Sequence, residues 1–199
     1  MSMKDFSKQA FGFVTLTSLL FSCGPGLKIA GTNEPEEPPI LPAAPKYIKR
    51  STTAFNVDGG LADADLACST DFGAGYKALV GHSTSRFAPS TDWPLRAYQE
   101  YKRDDDVTIG TTTSGAIFAF PLDNDLVTGG GASFATGLNS DFTVGDNCDD
   151  WTDATLGGGF DYDSGVPDSS ATSAIDQNPG PGGMGCNSVS TRPVLCVEQ

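Results

Sequence analysis

The chain has 199 residues, 25 of them acidic against 12 basic, for a net charge of −13. That balance repels polyanions and excludes a broad electrostatic face for nucleic acid, heparin-like sugars or an anionic bilayer. With 24 glycines and 13 prolines, and few of the residues that build long helices, the composition excludes a helical bundle and predicts a loop-rich body.

Residues 1–9 carry Lys4 and Lys8, and an apolar run from Ala10 to Phe21 follows, ending at Ser22-Cys23. This is the layout of an export signal. The run falls short of the roughly 20 apolar residues that a membrane-spanning helix needs. Leu20-Phe21-Ser22-Cys23 resembles the bacterial lipobox, although Phe21 is bulkier than the usual occupant of its position. Cys23 is therefore the expected lipidation site: its thiol takes a diacylglyceryl group, cleavage follows Ser22, and the freed amine accepts a further acyl chain. More than one chain is what makes such an anchor stable. The alternative is a conventional cleaved signal with Cys23 free or paired. Residues 1–22 thus read as a signal peptide. Residues 23–45, with Pro25, Pro35, Pro38, Pro39, Pro42 and Pro45, read as an extended tether. Gly24 rather than aspartate follows Cys23, which favours outer-membrane delivery in a host that has two membranes.

The remainder, residues 46–199, is the size of one domain. Tyr47-Ile48 and Phe55 predict an opening strand. Leu61, Ala64 or Asp65, and Cys68 stand at helical spacing, which predicts a short helix ending at Cys68, with Asp63 and Asp65 near its positive end. Tyr76 to Val80 predicts a further apolar element, His82 to Arg86 an exposed turn, Thr91-Asp92-Trp93-Pro94 an ordered loop, and Ala116 to Phe120 a strand core. The glycine triplets at 129–131 and 157–159 predict turns, and Val194 to Val197 a final buried strand. Trp93, Phe134, Phe142 and Trp151 read as core pegs.

Cys68, Cys148, Cys186 and Cys196 are an even set in an exported chain, so two disulfides are expected, with three pairings open. None stands in Cys-x-x-Cys spacing, and His82 is the single histidine. A zinc site would need scattered ligands, and a Cys-His or Ser-His-Asp centre lacks a supported imidazole, so no catalytic residue and no cofactor are named. Asp161 and Asp163 before Gly165, with Asp168 or Asp146 as more distant donors, resemble the opening of a calcium loop. Position 12 of that loop would be Thr172 rather than glutamate, and a solvated acidic turn is the simpler reading.

Several segments together carry a family resemblance: Gly60-Leu-Ala-Asp-Ala-Asp-Leu-Ala-Cys68, Tyr76-Lys-Ala-Leu79, Thr91-Asp-Trp-Pro-Leu95, Asn147-Cys-Asp-Asp-Trp-Thr152, Gly185-Cys186 and Leu195-Cys-Val-Glu198. From residue 46 to the end the chain resembles the DUF1554 family of bacterial, leptospiral-type lipoproteins, itself similar to the endostatin-like branch of the C-type-lectin-like fold. Ala62 replaces a family glycine, and Phe134-Ala-Thr-Gly137 stands where a tryptophan-bearing segment is usual. The resemblance implies an α+β domain with an irregular, mainly antiparallel twisted sheet, short helices and long loops. It also implies the pairs Cys68–Cys196 and Cys148–Cys186. Zinc-binding histidines of endostatins and the calcium motifs of sugar-binding lectins have no counterpart in the domain. What the resemblance suggests is an adhesin-like module that binds matrix proteins, plasminogen or complement regulators. The alternatives are a structural envelope lipoprotein without a host ligand, and a glycan hydrolase built on paired carboxylates.

Overall fold

The computed structural model describes residues 43–155, 162–177, 185–187 and 192–199. The leader, Cys23, nearly all of the tether, the glycines at 157–159 and Asp161 lie outside the described residues.

Strand β1, Lys46–Arg50, is short because Thr52 and Thr53 turn away from it: the Asp71 carboxylate accepts both of their N–H groups and both hydroxyls. Phe55 is buried yet lies in no strand, contrary to the sequence expectation. It fills the core from the loop that leads, through a 3-10 turn at Val57–Gly59, into helix α1, Gly60–Phe72. Ala64, Ala67 and Cys68 form the buried stripe of α1, and their small side chains let the helix lie close to the sheet. The helix runs one turn beyond Cys68 and stops at Gly73, whose φ of 91° favours glycine.

The other strands are β2 (Tyr76–Ala78), β3 (Glu100–Lys102), β4 (Thr108–Thr111), β5 (Phe134–Ala135), β6 (Ser164–Gly165) and β7 (Leu195–Glu198). Five of them make a sheet in the order β2-β7-β1-β3-β4, antiparallel except for the β1–β3 pair, while β5 and β6 form a separate antiparallel pair. This is the α+β class expected from the sequence. The C-terminal strand is flanked on both sides, and its alternation divides the core. Leu195 and Val197 join Ile48, Leu79, Tyr101, Trp93, Phe134 and Phe142 on one face. Val194 and Cys196 join Phe55, Ala64, Cys68, Ala78 and Trp151 on the other. Disulfides connect Cys68 to Cys196 and Cys148 to Cys186, with Cα separations of 5.4 and 5.6 Å.

The stretch Ala116 to Phe120 is not a strand. Its alternating burial is real, with Ala116 and Phe118 in the core, but its backbone closes a turn: Thr113 N–H donates to Ile117 O and Ala116 N–H to Thr113 O. Ala116 has a φ of 57°, and Pro121 brings no N–H to a ladder. The apolar period comes from aromatic packing, with Phe118 edge-on to Tyr101 and Phe120 stacked on Phe142, and not from strand pairing.

Candidate functional site

Arg86, read from the sequence as part of an exposed turn, is 1% exposed. Its guanidinium forms a bidentate pair with Asp65 of α1, Nη1 to Oδ1 at 2.8 Å and Nη2 to Oδ2 at 2.7 Å. Nε donates to Asp92 Oδ2 at 2.9 Å, and Nη1 also reaches Ala78 O. Lys77 Nζ donates to the other Asp92 oxygen at 2.6 Å. Burial pulls the Arg86 pKa down, but Asp65 and Asp92 outweigh it and hold the group above its ordinary value. Burial pushes the Asp92 carboxyl up, and the bonds from Lys77 and Arg86 overcome that and keep it low. The aspartates of two sequence motifs, the Ala64-Asp65 pair and Thr91-Asp92-Trp93, are thus the two jaws of one clamp. The arginine between them gave no signal of its own, because the loop around it is polar.

The Asn147-to-Thr152 motif forms a second constraint. Cys148, Asp149, Asp150 and Trp151 have φ values of 55, 54, 56 and 63°, and Trp151 N–H closes back on Asn147 O at 2.8 Å. This is a single turn of left-handed helix, a conformation that costs roughly 1–2 kcal/mol per L-residue. Asn147 Oδ1 accepts the Asp150 N–H at 3.0 Å, Trp151 Nε1 donates to Gly81 O at 2.7 Å, and both Ser83 N–H and Ser83 Oγ donate to the Asp150 carboxylate. Gly137 passes beneath with φ 56°, where a Cβ would come within 2.6 Å of the Trp151 ring. Burial pushes the Asp150 pKa up, and Ser83, Asn147 and His82 bring it below the usual carboxylate range.

His82 does stand between hydroxyls and a carboxylate here. Asp150 Oδ1 lies 3.9 Å and Ser85 Oγ 3.2 Å from the same ring atom, Nδ1. A nucleophile–base–acid relay needs the two partners on opposite ring nitrogens, so this cluster is a polar staple and not a triad.

Residues 52–164 match the sequence model of a family described as "Protein of unknown function (DUF1554)". The chain belongs to the DUF1554 family. No curated protein matches it. The DUF1554 match spans α1, the Arg86 clamp and the left-handed turn. Cys186 and Cys196 lie beyond the matched span but bond to Cys148 and Cys68 within it, so the DUF1554 fold of this chain is completed by its C-terminal strand.

Ligand-sized space opens elsewhere. β1 pairs with β3 only at Lys46↔Tyr101 and Tyr47↔Lys102, whereas its pairing with β7 continues to Arg50↔Leu195. Past Tyr47 the two strands part, and a cleft of about 410 Å³ opens, bordered by Ile48, Arg50, Thr52, Leu126, Val127 and Pro193. Arg50 Nη1 donates to Gly130 O at 3.2 Å and Ala132 O at 3.1 Å. Gly131 between them has φ 115°, and a Cβ there would sit 2.7 Å from Arg50 Nη1. Among the described residues no carboxylate pairs with Arg50, although Arg86 and Arg103 each hold two. Asp104 also borders the cleft and accepts a bond from Thr128 Oγ1 at 3.0 Å. Lys49 is part of the same strand but its Nζ lies 5.4 to 5.7 Å from the ring centroids of Tyr47, Phe72 and Tyr76, a cation–π cluster on the surface.

Of the calcium candidates, Asp163 is 6% exposed and its Oδ2 accepts the Asp146 N–H at 2.8 Å, while Asp168 is exposed. Among the described residues no three His, Cys, Asp or Glu side chains converge on a metal position. None of the described helices is long and apolar enough to cross a membrane.

Proposed function

We propose that the chain is an exported lipoprotein, anchored at the cell envelope through acylated Cys23, whose DUF1554 domain binds a protein ligand in the manner of an adhesin. The observation that carries this reading is the Arg50 cleft, a concave opening with a mixed polar and apolar lining in which the Arg50 guanidinium is held in place by Gly130 O and Ala132 O; convergent polar groups beside apolar surface are how recognition sites are built. The leader, lipobox and proline-rich tether support an outward-facing position. Five aspartates are poor candidates for the acid of a hydrolase. Asp71, Asp92, Asp105, Asp141 and Asp150 are all held below the usual range by hydrogen bonds and charges that overcome any burial, whereas a general acid needs a carboxyl pushed up.

The test is capture of immobilised matrix proteins, plasminogen and complement regulators by the detergent-extracted full chain. The reading expects saturable binding to at least one. It fails if native protein binds none of them better than a reduced, denatured control.

A further inference from the structure

We propose that the Arg50 cleft is a carboxylate-binding subsite, taking the acid group of an extended peptide on the guanidinium and its neighbouring apolar side chain against the half-buried Val127 and Pro193. This deepens the protein-binding reading and rests on it. The guanidinium offers five N–H donors in a planar fork that fits a carboxylate. Here Nη1 is spent on Gly130 O and Ala132 O, so the fork is aimed before any ligand arrives and little freedom is lost on binding.

The chain has 25 acidic residues, yet among the described residues none is paired with Arg50. Asp104 on the cleft wall is engaged by the Thr128 hydroxyl. The net charge of −13 opposes an anion at long range, but charges beyond about 8 Å are screened at physiological salt. The edge of β1 that faces away from β7 also loses its β3 partner after Tyr47, so an extended ligand backbone has a strand edge to lie along.

The probes are N-acetyl-leucine and its uncharged amide, titrated into the ¹⁵N-labelled, detergent-solubilised full chain. The acid is expected to shift amide signals of residues 48–52 and 126–132, and to bind at least about tenfold more tightly than the amide, as a charge-assisted bond implies. R50Q should erase that preference and R50K should retain part of it. Equal binding of acid and amide, shifts confined to other segments, or undiminished acid binding by R50Q would overturn the subsite. If R50Q loses its native spectrum, the acid–amide comparison on the natural chain decides alone. A C-terminal carboxylate is separated from an aspartate side chain by comparing acetyl-Leu-Leu acid with acetyl-Leu-Asp amide; tighter binding of either names the source, and failure of both rejects the subsite. Protein capture that R50Q leaves intact would reject this cleft while sparing the binding function. Carboxylate binding without any protein capture would do the reverse.

Discussion

At the scale of single residues, buried polar groups are the ones whose partners can least be removed. Arg86 is enclosed while Asp65 and Asp92 each retain partial exposure, so the arginine is the partner that cannot be left alone. Asp65→Ala strands two of its hydrogen bonds and should lower stability by about 3 kcal/mol, in the range for a broken buried pair. Lys77→Ala removes only the outer, more solvated end of the network and should cost less than about 1 kcal/mol. Urea denaturation of the two variants checks the order, and equal losses would show that Arg86 is not the centre of the clamp. The same network, together with the left-handed turn, sets the acid limit. Asp92 and Asp150 are depressed in the folded state. Their contribution is therefore complete above the unfolded carboxyl pKa of about 3.9 and is lost as pH falls through the lower folded values. The urea midpoint should hold steady down to about pH 4 and drop below it, and Asp92→Asn should shrink the drop. A midpoint that rises on acidification would show that relief of the net negative charge outweighs these bonds.

At the scale of elements, the left-handed turn and the two disulfides divide the work of fixing loops that have little apolar material of their own. Asp149 is exposed with φ 54°, and among the described residues its side chain makes no bond. Asp149→Gly should raise stability by about 1 kcal/mol by removing the left-handed penalty. Asp150→Gly should not, because it forfeits the bonds from Ser83 and Asn147. Thermal unfolding of the pair separates the readings, and destabilisation by both would argue against the left-handed geometry. For the bridges, loop-closure entropy gives about 5 kcal/mol for a separation of 128 residues and about 4 for one of 38, as upper-side values. Position matters more than that difference. Cys196 is a fully buried member of a strand flanked on both sides, so replacing Cys68 and Cys196 by Ser should expose the sheet to global hydrogen exchange. Replacing Cys148 and Cys186 should loosen the left-handed turn and the segment that follows it, with protection in β1 and β7 retained. The reverse pattern would overturn this ranking.

At the scale of the whole molecule, the proposed membrane attachment rests on Cys23. Cys23→Ala should shift the protein from the membrane fraction to the soluble one and abolish incorporation of labelled palmitate. A variant that still sediments with membranes would point to another mode of attachment.

What the sequence by itself determined is whatever depends on local spacing or on a residue's own chemistry. The small-residue stripe at Ala64 and Cys68 specifies α1, the apolar Val194–Val197 run specifies β7, and buried tryptophans are legible because so large an apolar surface has no other place in a single domain. The cysteine count announced two bridges, and the family resemblance supplied their pairing. What only the tertiary structure decided depends on contacts between distant segments. Phe55 and the Ala116 to Phe120 run look like strands because period-two burial arises equally from aromatic packing on irregular backbone. Arg86 looked solvated because its two partners lie 21 residues before it and 6 after. The Arg50 cleft could not be read at all: it exists because β1 leaves β3 after two paired positions and stays with β7, and no local pattern encodes where two strands part.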